Sequence, residues 1–199
     1  MANLKLTRII PIALILIIVA IAIAGLVTLA RTIFFTGDSS TVSQADISKE
    51  ALLASDADHS VTFSARGPIV ASESFKSYKI KITSSSRTLT MYEGYTGQVV
   101  DKVSLDNNIN SYQQFVFALY KANLTKGNEL TGDSNDTRGI CATGSVYEFT
   151  VVAGTNTAKQ LWTSTCSGSK GSLSASADQL ISLFMAQIPN AKDILSKSL

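Results

Sequence analysis

The sequence predicts an α+β protein, in which an N-terminal transmembrane helix precedes a mainly antiparallel sheet of about five strands with two amphipathic helices packed on one face. Three features of the chain lead to this fold class. An uncharged apolar run lies near the N-terminus. Several later segments alternate apolar and polar residues, which is typical of strands with one buried face. Two further segments carry apolar residues at the spacing of an amphipathic helix.

The apolar run extends from Ile9 to Ala30 and contains no charged residue. At 1.5 Å of rise per residue it would form a helix of roughly 33 Å, which matches a bilayer core of about 30 Å. Lys5 and Arg8 precede the run, and Arg31 follows it. Because Lys and Arg favour the cytoplasmic side, we expect a single-pass protein of the cell membrane with residues 1–8 in the cytoplasm and the C-terminal domain outside.

A cleaved signal peptide is the alternative interpretation of this run. Ala22 and Ala24 supply a small-residue cleavage site after a basic segment. The apolar character continues beyond that site, so the run is longer than the usual signal-peptide core of about 7 to 15 residues. We therefore favour a retained transmembrane helix over residues 9–30.

The residues that follow the anchor are small and polar, which predicts a flexible linker over 31–60 and a single extracytoplasmic domain over 61–199. A weak helical pattern at Ser48 to Ala54 predicts one short helix in this linker. His59, the only histidine, lies near its end beside Asp56 and Asp58. A lone histidine beside two acids in a polar segment is far more often solvated than bound to a metal, so we expect no metal site.

The charge of the chain argues against several kinds of partner. It carries 17 Lys and Arg against 15 Asp and Glu, and three of the basic residues flank the anchor. The rest of the chain is therefore close to neutral. Neither a nucleic-acid surface nor a polybasic membrane patch is indicated.

The alternating segments predict an antiparallel meander followed by a second pair of strands. Short turns rich in Gly, Ser and Asn separate the segments, as is typical of hairpins. The buried positions expected in the meander are Val61, Phe63, Ala65, Tyr78, Ile80, Ile82, Leu89, Met91, Val99, Val103 and Leu105. In the second pair, Tyr147, Phe149 and Val151 alternate on one strand, and Leu161 and Trp162 lie in the returning strand.

Each group of strands is followed by a segment that predicts a capped helix. Ser111 with Gln114, and Ser176 with Gln179, form Ser-x-x-Gln capping boxes, and Pro189 is expected to end the second helix. The apolar stripes comprise Tyr112, Phe115, Val116, Leu119 and Tyr120 in the first helix and Leu180, Leu183, Phe184 and Ile188 in the second. The repeated order of strand, strand and helix is consistent with an internal duplication.

The two cysteines are predicted to form a disulfide. We expect the last hairpin to turn at the peptide bond after Ala153, a register that pairs Phe149 with Ala158. Continued along the strands, this register also pairs Cys141 with Cys166. Facing β-carbons lie about 4.5 to 5.5 Å apart and can be drawn to disulfide distance. Two cysteines in an extracytoplasmic domain make a structural disulfide the default.

The segment from Leu161 to Cys166 reads Leu-Trp-Thr-Ser-Thr-Cys and resembles the Thr-Leu-x-Thr-Cys strand of sortases. That resemblance implies a cysteine transpeptidase, in which a histidine upstream and an arginine downstream assist the Cys166 thiolate. Here the only histidine, His59, lies in the linker, and no arginine follows Arg138. A thiol without a base or a cation beside it is a poor nucleophile, so a sortase-like enzyme is an alternative and not the expectation.

The same segment, the Gly- and Ser-rich loop after it and a final helix closing in Gln187-Ile188-Pro189 give a second resemblance. The arrangement is similar to the C-terminal part of uncharacterised single-span, N-terminally anchored surface proteins of small-genome bacteria of the candidate-phyla type. This resemblance covers the last third of the chain. It implies a location in the bacterial cell envelope and carries no known activity.

We therefore expect a membrane-anchored extracytoplasmic domain that acts as a non-catalytic binding or accessory module of the cell envelope, with a protein or glycan partner outside the cell. An exposed apolar or aromatic patch would favour this function, and Tyr92, Tyr95 and the turn around them are the first place to look for one. We expect no catalytic residue and no cofactor. The alternatives are a sortase-like or other envelope enzyme, which needs a concave pocket and a free Cys166, and a pilin-like filament subunit that packs through its anchor helix.

Overall fold

The computed structural model describes residues 44–198. In this part of the chain there are six β-strands, namely β1 (His59–Arg66), β2 (Lys76–Thr83), β3 (Ser86–Glu93), β4 (Gln98–Asp106), β5 (Val146–Ala153) and β6 (Asn156–Ser164). The same residues form four α-helices, namely α1 (Gln44–Leu53), α2 (Ile109–Lys121), α3 (Ala177–Met185) and α4 (Ala191–Ser198). The predicted α+β class is confirmed, with one strand more than the five expected and with α4 as a helix that was not predicted.

The strands form one antiparallel sheet in the order β4-β3-β2-β1-β5-β6. Strands β1 to β4 are the meander predicted from the alternating segments. The second hairpin, β5 and β6, joins this meander through β1, because Phe63 of β1 faces Phe149 of β5. Strand β1 therefore has neighbours on both sides and lies near the centre of the sheet.

The helices cover one face of the sheet, here called the inner face, and the core lies between these two layers. Phe63 is fully buried at its centre. Its ring stacks on Phe149 at a centroid distance of 5.1 Å and contacts Phe184 of α3 at 5.7 Å. Truncation of such a phenylalanine to alanine typically costs about 3 to 5 kcal/mol. All four helices add side chains to this core, among them Leu52, Leu119, Phe184 and Leu195.

The opposite face of the sheet, here called the outer face, carries the alternate side chains of each strand. An antiparallel sheet can leave one face in water, and the residues on this face are mostly polar. The cross-strand pairing places on it Thr62, Ser64, Arg66, Ser77, Lys79, Lys81, Thr88, Thr90, Tyr92, Val99, Lys102, Ser104, Val146, Glu148 and Trp162.

The two edges of the sheet differ. Beside β6, the backbone N–H of Gln160 donates to Glu129 Oε1 at 3.0 Å, and that of Trp162 donates to Ser172 Oγ at 3.1 Å. The Trp162 carbonyl in turn accepts from the N–H groups of Ser172 and Leu173. Within residues 44–198 no strand pairs with the free side of β4. Among the described residues, loops therefore cover the β6 edge and no element pairs with the free β4 edge.

Helix α1 lies in the stretch 31–60 that the sequence analysis interpreted as a linker. It starts before the expected Ser48 and packs on the inner face, where Ala51 and Leu52 are buried. Ser48 is also buried and donates a hydrogen bond to the Ala158 carbonyl at 3.4 Å. The described part of that stretch is thus folded onto the domain, because a few apolar residues at the end of a helix are enough to dock it.

The ends of the other helices agree only in part with the predicted capping boxes. Helix α3 starts as predicted, because Ser176 Oγ accepts a hydrogen bond from the Gln179 N–H at 3.4 Å. Helix α2 starts earlier than predicted, since Asn108 Oδ1 accepts from the Ser111 N–H at 2.9 Å and is the true N-cap. Asparagine and serine are equally good caps, so the pattern alone does not choose between them.

Helix α3 also ends earlier than expected. It finishes at Met185, and the chain reverses through Asn190 in the left-handed region (φ +57°) before α4 begins. Ile188 is buried as predicted, although it lies in this turn and not in the helix.

The membrane-spanning segment predicted from Ile9 to Ala30 lies outside the described residues. Among residues 44–198, every helix is too short or too polar to cross a bilayer. The anchor and the topology derived from it therefore remain predictions.

Candidate binding site at the loop end of the sheet

The two cysteines lie at the end of the sheet where β1 ends and β5 begins. Their sulfur atoms are bonded at 2.09 Å, and their α-carbons are 5.4 Å apart. The predicted pairing of Cys141 with Cys166 is therefore present in the structure. The bond ties residues 137–145, here called the disulfide lobe, to the end of β6.

The register from which this pairing was predicted is wrong. Phe149 faces Leu161 and not Ala158, because the hairpin turns one residue later than expected and a bulge follows Val151. A continued ladder would place Cys166 opposite Gly144, three residues away from Cys141. A turn closes this gap, since the N–H of Gly144 donates to the Cys141 carbonyl at 3.2 Å. The cysteines are brought together by a loop and not by facing strand positions.

Gly144 makes this turn possible because the space beside it is occupied. A β-carbon at this position would lie 2.7 Å from the Cys141 sulfur and still closer to Thr165 Oγ1. The same Thr165 hydroxyl accepts a hydrogen bond from the Ser145 N–H at 2.9 Å. The disulfide lobe is therefore tightly packed where it joins the sheet.

Arg66, the last residue of β1, holds the other side of the disulfide lobe. Its Nη2 donates to the carbonyl of Ile140 at 2.8 Å and also to that of Thr137. Burial of the guanidinium lowers the pKa of Arg66 from its ordinary value, although a guanidinium remains protonated in proteins. Ile69, in the loop after β1, donates its N–H to the Ala142 carbonyl at 2.8 Å. Backbone and side-chain hydrogen bonds thus join the lobe to the β1–β2 loop.

A cluster of exposed apolar side chains lies at the same end of the sheet. It combines the β1–β2 loop with the β3–β4 turn and the start of β4, and each side chain is at least 40% exposed. We call it the loop-end patch, and it consists of Ile69, Val70, Tyr95, Val99 and Val100. Tyr95, at 54%, is the most exposed aromatic residue in it. The patch includes Tyr95 and lies at the turn singled out in the sequence, whereas Tyr92 is only partly exposed and is not part of it.

Tyr95 also fixes the shape of the loop-end patch. Its hydroxyl donates to the Val70 carbonyl at 2.7 Å and accepts from the Val70 N–H at 3.1 Å. Its ring stacks on Phe75, with centroids 4.2 Å apart. The side chain is held at both ends and therefore does not lose much conformational freedom when a partner binds.

A cavity of about 340 Å³ opens on the outer face beside the patch. Thr137 of the disulfide lobe lies on one side of it, and Phe75 and Tyr92 lie on the other. Polar side chains of three strands complete the lining, namely Ser64, Arg66, Ser77, Lys79 and Glu148. Aromatic walls with convergent polar groups are typical of small-molecule and sugar sites.

The opposite end of the sheet holds the carboxylates of Asp56 and Asp58 beside His59. The Nδ1 atom of His59 lies 3.0 Å from Asp58 Oδ1, and the ligand atoms of all three residues lie within 4.8 Å of one another. Both acids are exposed, and such groups are common without a metal. The eight residues of β1 separate His59 from the Cys166 end by about 25 Å. The structure does not bring a histidine to Cys166.

Comparison of the chain with protein-family models and with curated proteins finds no match.

Arg66 and Lys79 were not predicted from the sequence to belong to a site. Both lie in strands whose apolar and polar residues alternate as expected. Polar residues on the solvent-exposed face of such a sheet are normally only solvated. Arg66 and Lys79 line a cavity because the disulfide lobe and the β3–β4 turn lie on either side of them. That arrangement depends on long-range packing, for which the local sequence gives no signal.

Proposed function

We propose that the chain is a non-catalytic binding domain that its N-terminal helix displays outside the cytoplasmic membrane, where it binds a component of the cell envelope. The loop-end patch is the observation that carries this proposal. Exposed apolar side chains that lie together on a soluble domain often mark a binding site. Here the group borders a cavity and is fixed by hydrogen bonds, as expected of a preorganised site.

The disulfide supports an extracytoplasmic location. Structural disulfides persist in oxidising compartments and are rare in the cytosol. The orientation inferred from Lys5 and Arg8 points to the same side of the membrane. Both considerations are independent of the loop-end patch.

The sortase-like alternative is weakened by the state of Cys166. Its sulfur is bonded to Cys141, so it offers no thiolate for nucleophilic attack. His59 lies at the other end of β1, and a cysteine nucleophile needs a base within hydrogen-bond reach. The filament alternative depends on the anchor helix and gains no support from residues 44–198.

Retention on isolated envelopes tests the proposal. The full chain, solubilised in detergent, is incubated with cell-wall fragments of the bacterium that produces it and sedimented. In the site variant, Tyr95→Ser is combined with Val99→Ser. The matched control combines Ile109→Ser with Phe117→Ser, two residues of α2 that are similarly exposed, at 55% and 49%.

We expect the site variant to lose retention by about tenfold or more, which corresponds to about 1.4 kcal/mol, while the control variant behaves as wild type. Equal retention of both variants would overturn the proposal. Circular dichroism of each variant verifies that the fold is intact.

A further inference from the structure

We propose that the outer face of the sheet binds an acidic polysaccharide, which enters the cavity beside Tyr92 and crosses β2, β3 and β4. This inference rests on the proposed function, because such a polymer meets the domain only outside the cytoplasm. It adds the chemical class of the ligand and a second part of the site, the strands next to the cavity.

Three lysines on the outer face form no ion pair with a described residue. Lys79 and Lys81 of β2 and Lys102 of β4 are exposed, and no ion pair within residues 44–198 includes any of them. By contrast, Lys76, at the start of β2, is paired with Glu93 at 3.3 Å. In a chain that is close to neutral after its anchor, this face therefore concentrates positive charge. Such a face favours an anionic partner.

The spacing of these lysines suits a polymer better than a compact ion. Lys79 and Lys81 are two residues apart on one strand, or about 7 Å. Lys79 and Lys102 both face Thr90, so two strand spacings of about 5 Å each separate them. A small anion could contact only one of these ammonium groups closely, whereas a chain with one charge per unit could reach all three.

Hydroxyl groups surround the lysines. Each serine or threonine hydroxyl can donate one hydrogen bond and accept others, which matches the hydroxyls of a sugar. The outer-face hydroxyls nearest to the three lysines belong to Thr62, Ser64, Thr88, Thr90 and Ser104. A row of this composition can bind each sugar unit through its hydroxyls as well as through its charge.

The composition of the cavity favours a sugar chain over other anionic polymers. Tyr92 is partly exposed in the lining and provides aromatic surface, on which the apolar face of a sugar ring can pack. Glu148 lies in the same lining and can accept hydrogen bonds from sugar hydroxyls. Its carboxylate would repel a densely charged chain such as polyphosphate. The acidic groups on this face are Glu148 in the cavity and Asp106 at the far end of β4. Arg66 and Lys79 line the cavity together with Glu148, so positive charge exceeds negative charge there.

Fluorescence anisotropy with labelled polygalacturonate tests this inference on the full chain in detergent. The site variant combines K79Q, K81Q and K102Q, and the matched control combines K126Q, K192Q and K197Q, three exposed lysines outside the sheet. We expect the site variant to bind about tenfold more weakly and the control to bind within twofold of wild type. Dissolved ions screen the attraction between an exposed lysine and a carboxylate of the polymer, so binding should also weaken as salt is added.

Neutral dextran, polyphosphate and polyglutamate serve as comparison polymers. We expect dextran not to bind, and the other two to bind at least several-fold more weakly than polygalacturonate. The inference is overturned by absence of polygalacturonate binding, by an equal loss in both triple variants, or by polyglutamate binding as tightly as polygalacturonate.

The two proposals fail in different ways. If the Tyr95 and Val99 variant loses retention on cell walls while polygalacturonate does not bind, the envelope-binding function stands and the ligand class is wrong. If that variant keeps wild-type retention, the proposed function itself fails. In that case, polygalacturonate binding that depends on the three lysines would be a charge effect without a role in the envelope.

Discussion

Arg66 donates a hydrogen bond of 2.8 Å to the carbonyl of Ile140, and through it the end of β1 holds the disulfide lobe in place. The two residues are 74 positions apart in the chain. Strand β1 supports the inner core through Phe63 and the candidate site through Arg66. Stability and binding are therefore coupled at the end of one strand.

Replacement of Arg66 by methionine should loosen the disulfide lobe. The variant loses two hydrogen bonds from a charged donor, and each such bond contributes about 1.5 to 3 kcal/mol. Partial access of water and the apolar methionine side chain reduce the net loss, so we expect unfolding in urea to be easier by about 2 kcal/mol. Arg138→Gln is the control, because Arg138 is 91% exposed and pairs only with the nearby Asp136. Equal midpoints for both variants would show that Arg66 does not support the lobe.

A side chain at Gly144 should destabilise the junction between lobe and sheet. Gly144→Ala forces a methyl group against the Cys141 sulfur and Thr165, and overpacking of this kind costs about 1 to 3 kcal/mol. Gly168→Ala is the matched control, since no atom lies within 4 Å of its added β-carbon. Thermal melts compare the two variants. A Gly144→Ala protein as stable as the control would mean that the turn relaxes freely.

The disulfide should be complete in protein taken from its native membrane. Alkylation without reductant followed by mass measurement should add no label to Cys141 or Cys166, and reduction first should add two. The double variant Cys141→Ala, Cys166→Ala opens a loop with a sequence separation of 25, and should lower the free energy of unfolding by about 3 to 4 kcal/mol. Labelling of both thiols before reduction would contradict the extracytoplasmic topology.

Tyr112→Phe should stabilise the domain. Tyr112 is fully buried, and its hydroxyl has no hydrogen-bond partner among the described residues. A buried unsatisfied hydroxyl costs about 1 to 3 kcal/mol, so we expect a gain of about 1 kcal/mol at neutral pH. A loss of stability at pH 7 in urea titrations would show that the hydroxyl has a partner in solution.

The same variant should also change the response to alkali. Burial raises the pKa of Tyr112 to about 12, whereas an unfolded tyrosine has a pKa of about 10. The unfolded chain therefore loses its proton first, and stability falls as the pH rises from about 10 to 12. Tyr112→Phe should make this fall shallower. Tyr78, whose pKa burial also raises to about 12, should account for part of the remainder.

Periodicity identified the strands of the fold from the sequence, because burial on one face repeats every two residues whatever the topology. Val61, Phe63 and Ala65 are buried as that period requires. Val99 was expected on the same side as Val103 and Leu105 but is 53% exposed, because the bulge beside Tyr92 shifts the register of β4. Features set by single residues were less predictable. Asn108 replaces Ser111 as the cap of α2, and α1 docks through Ala51 and Leu52, too few apolar residues to produce a clear stripe.

The candidate site depends on contacts between distant segments, so the sequence indicated only parts of it. The aromatic residues near Tyr95 were expected to be exposed, since turns lie at the surface. The pairing of Cys141 with Cys166 was correct although its register was wrong, because the turn ending at Gly144 compensates for a shift of three residues. The cavity of Arg66, Lys79 and Glu148 could not be predicted, because it combines side chains of separate strands with residues of distant loops.

Because β6 is covered and β4 is not, the described part of the chain offers one sheet edge to another molecule. A strand from another molecule could extend the sheet only at β4, where Asp101, Lys102 and a bulge beside Tyr92 make added pairing unfavourable. Because β6 is already occupied by loops, two copies joined at β4 would have no further edge to offer. Edge-to-edge association of this domain would stop at a closed pair and could not grow into a ribbon.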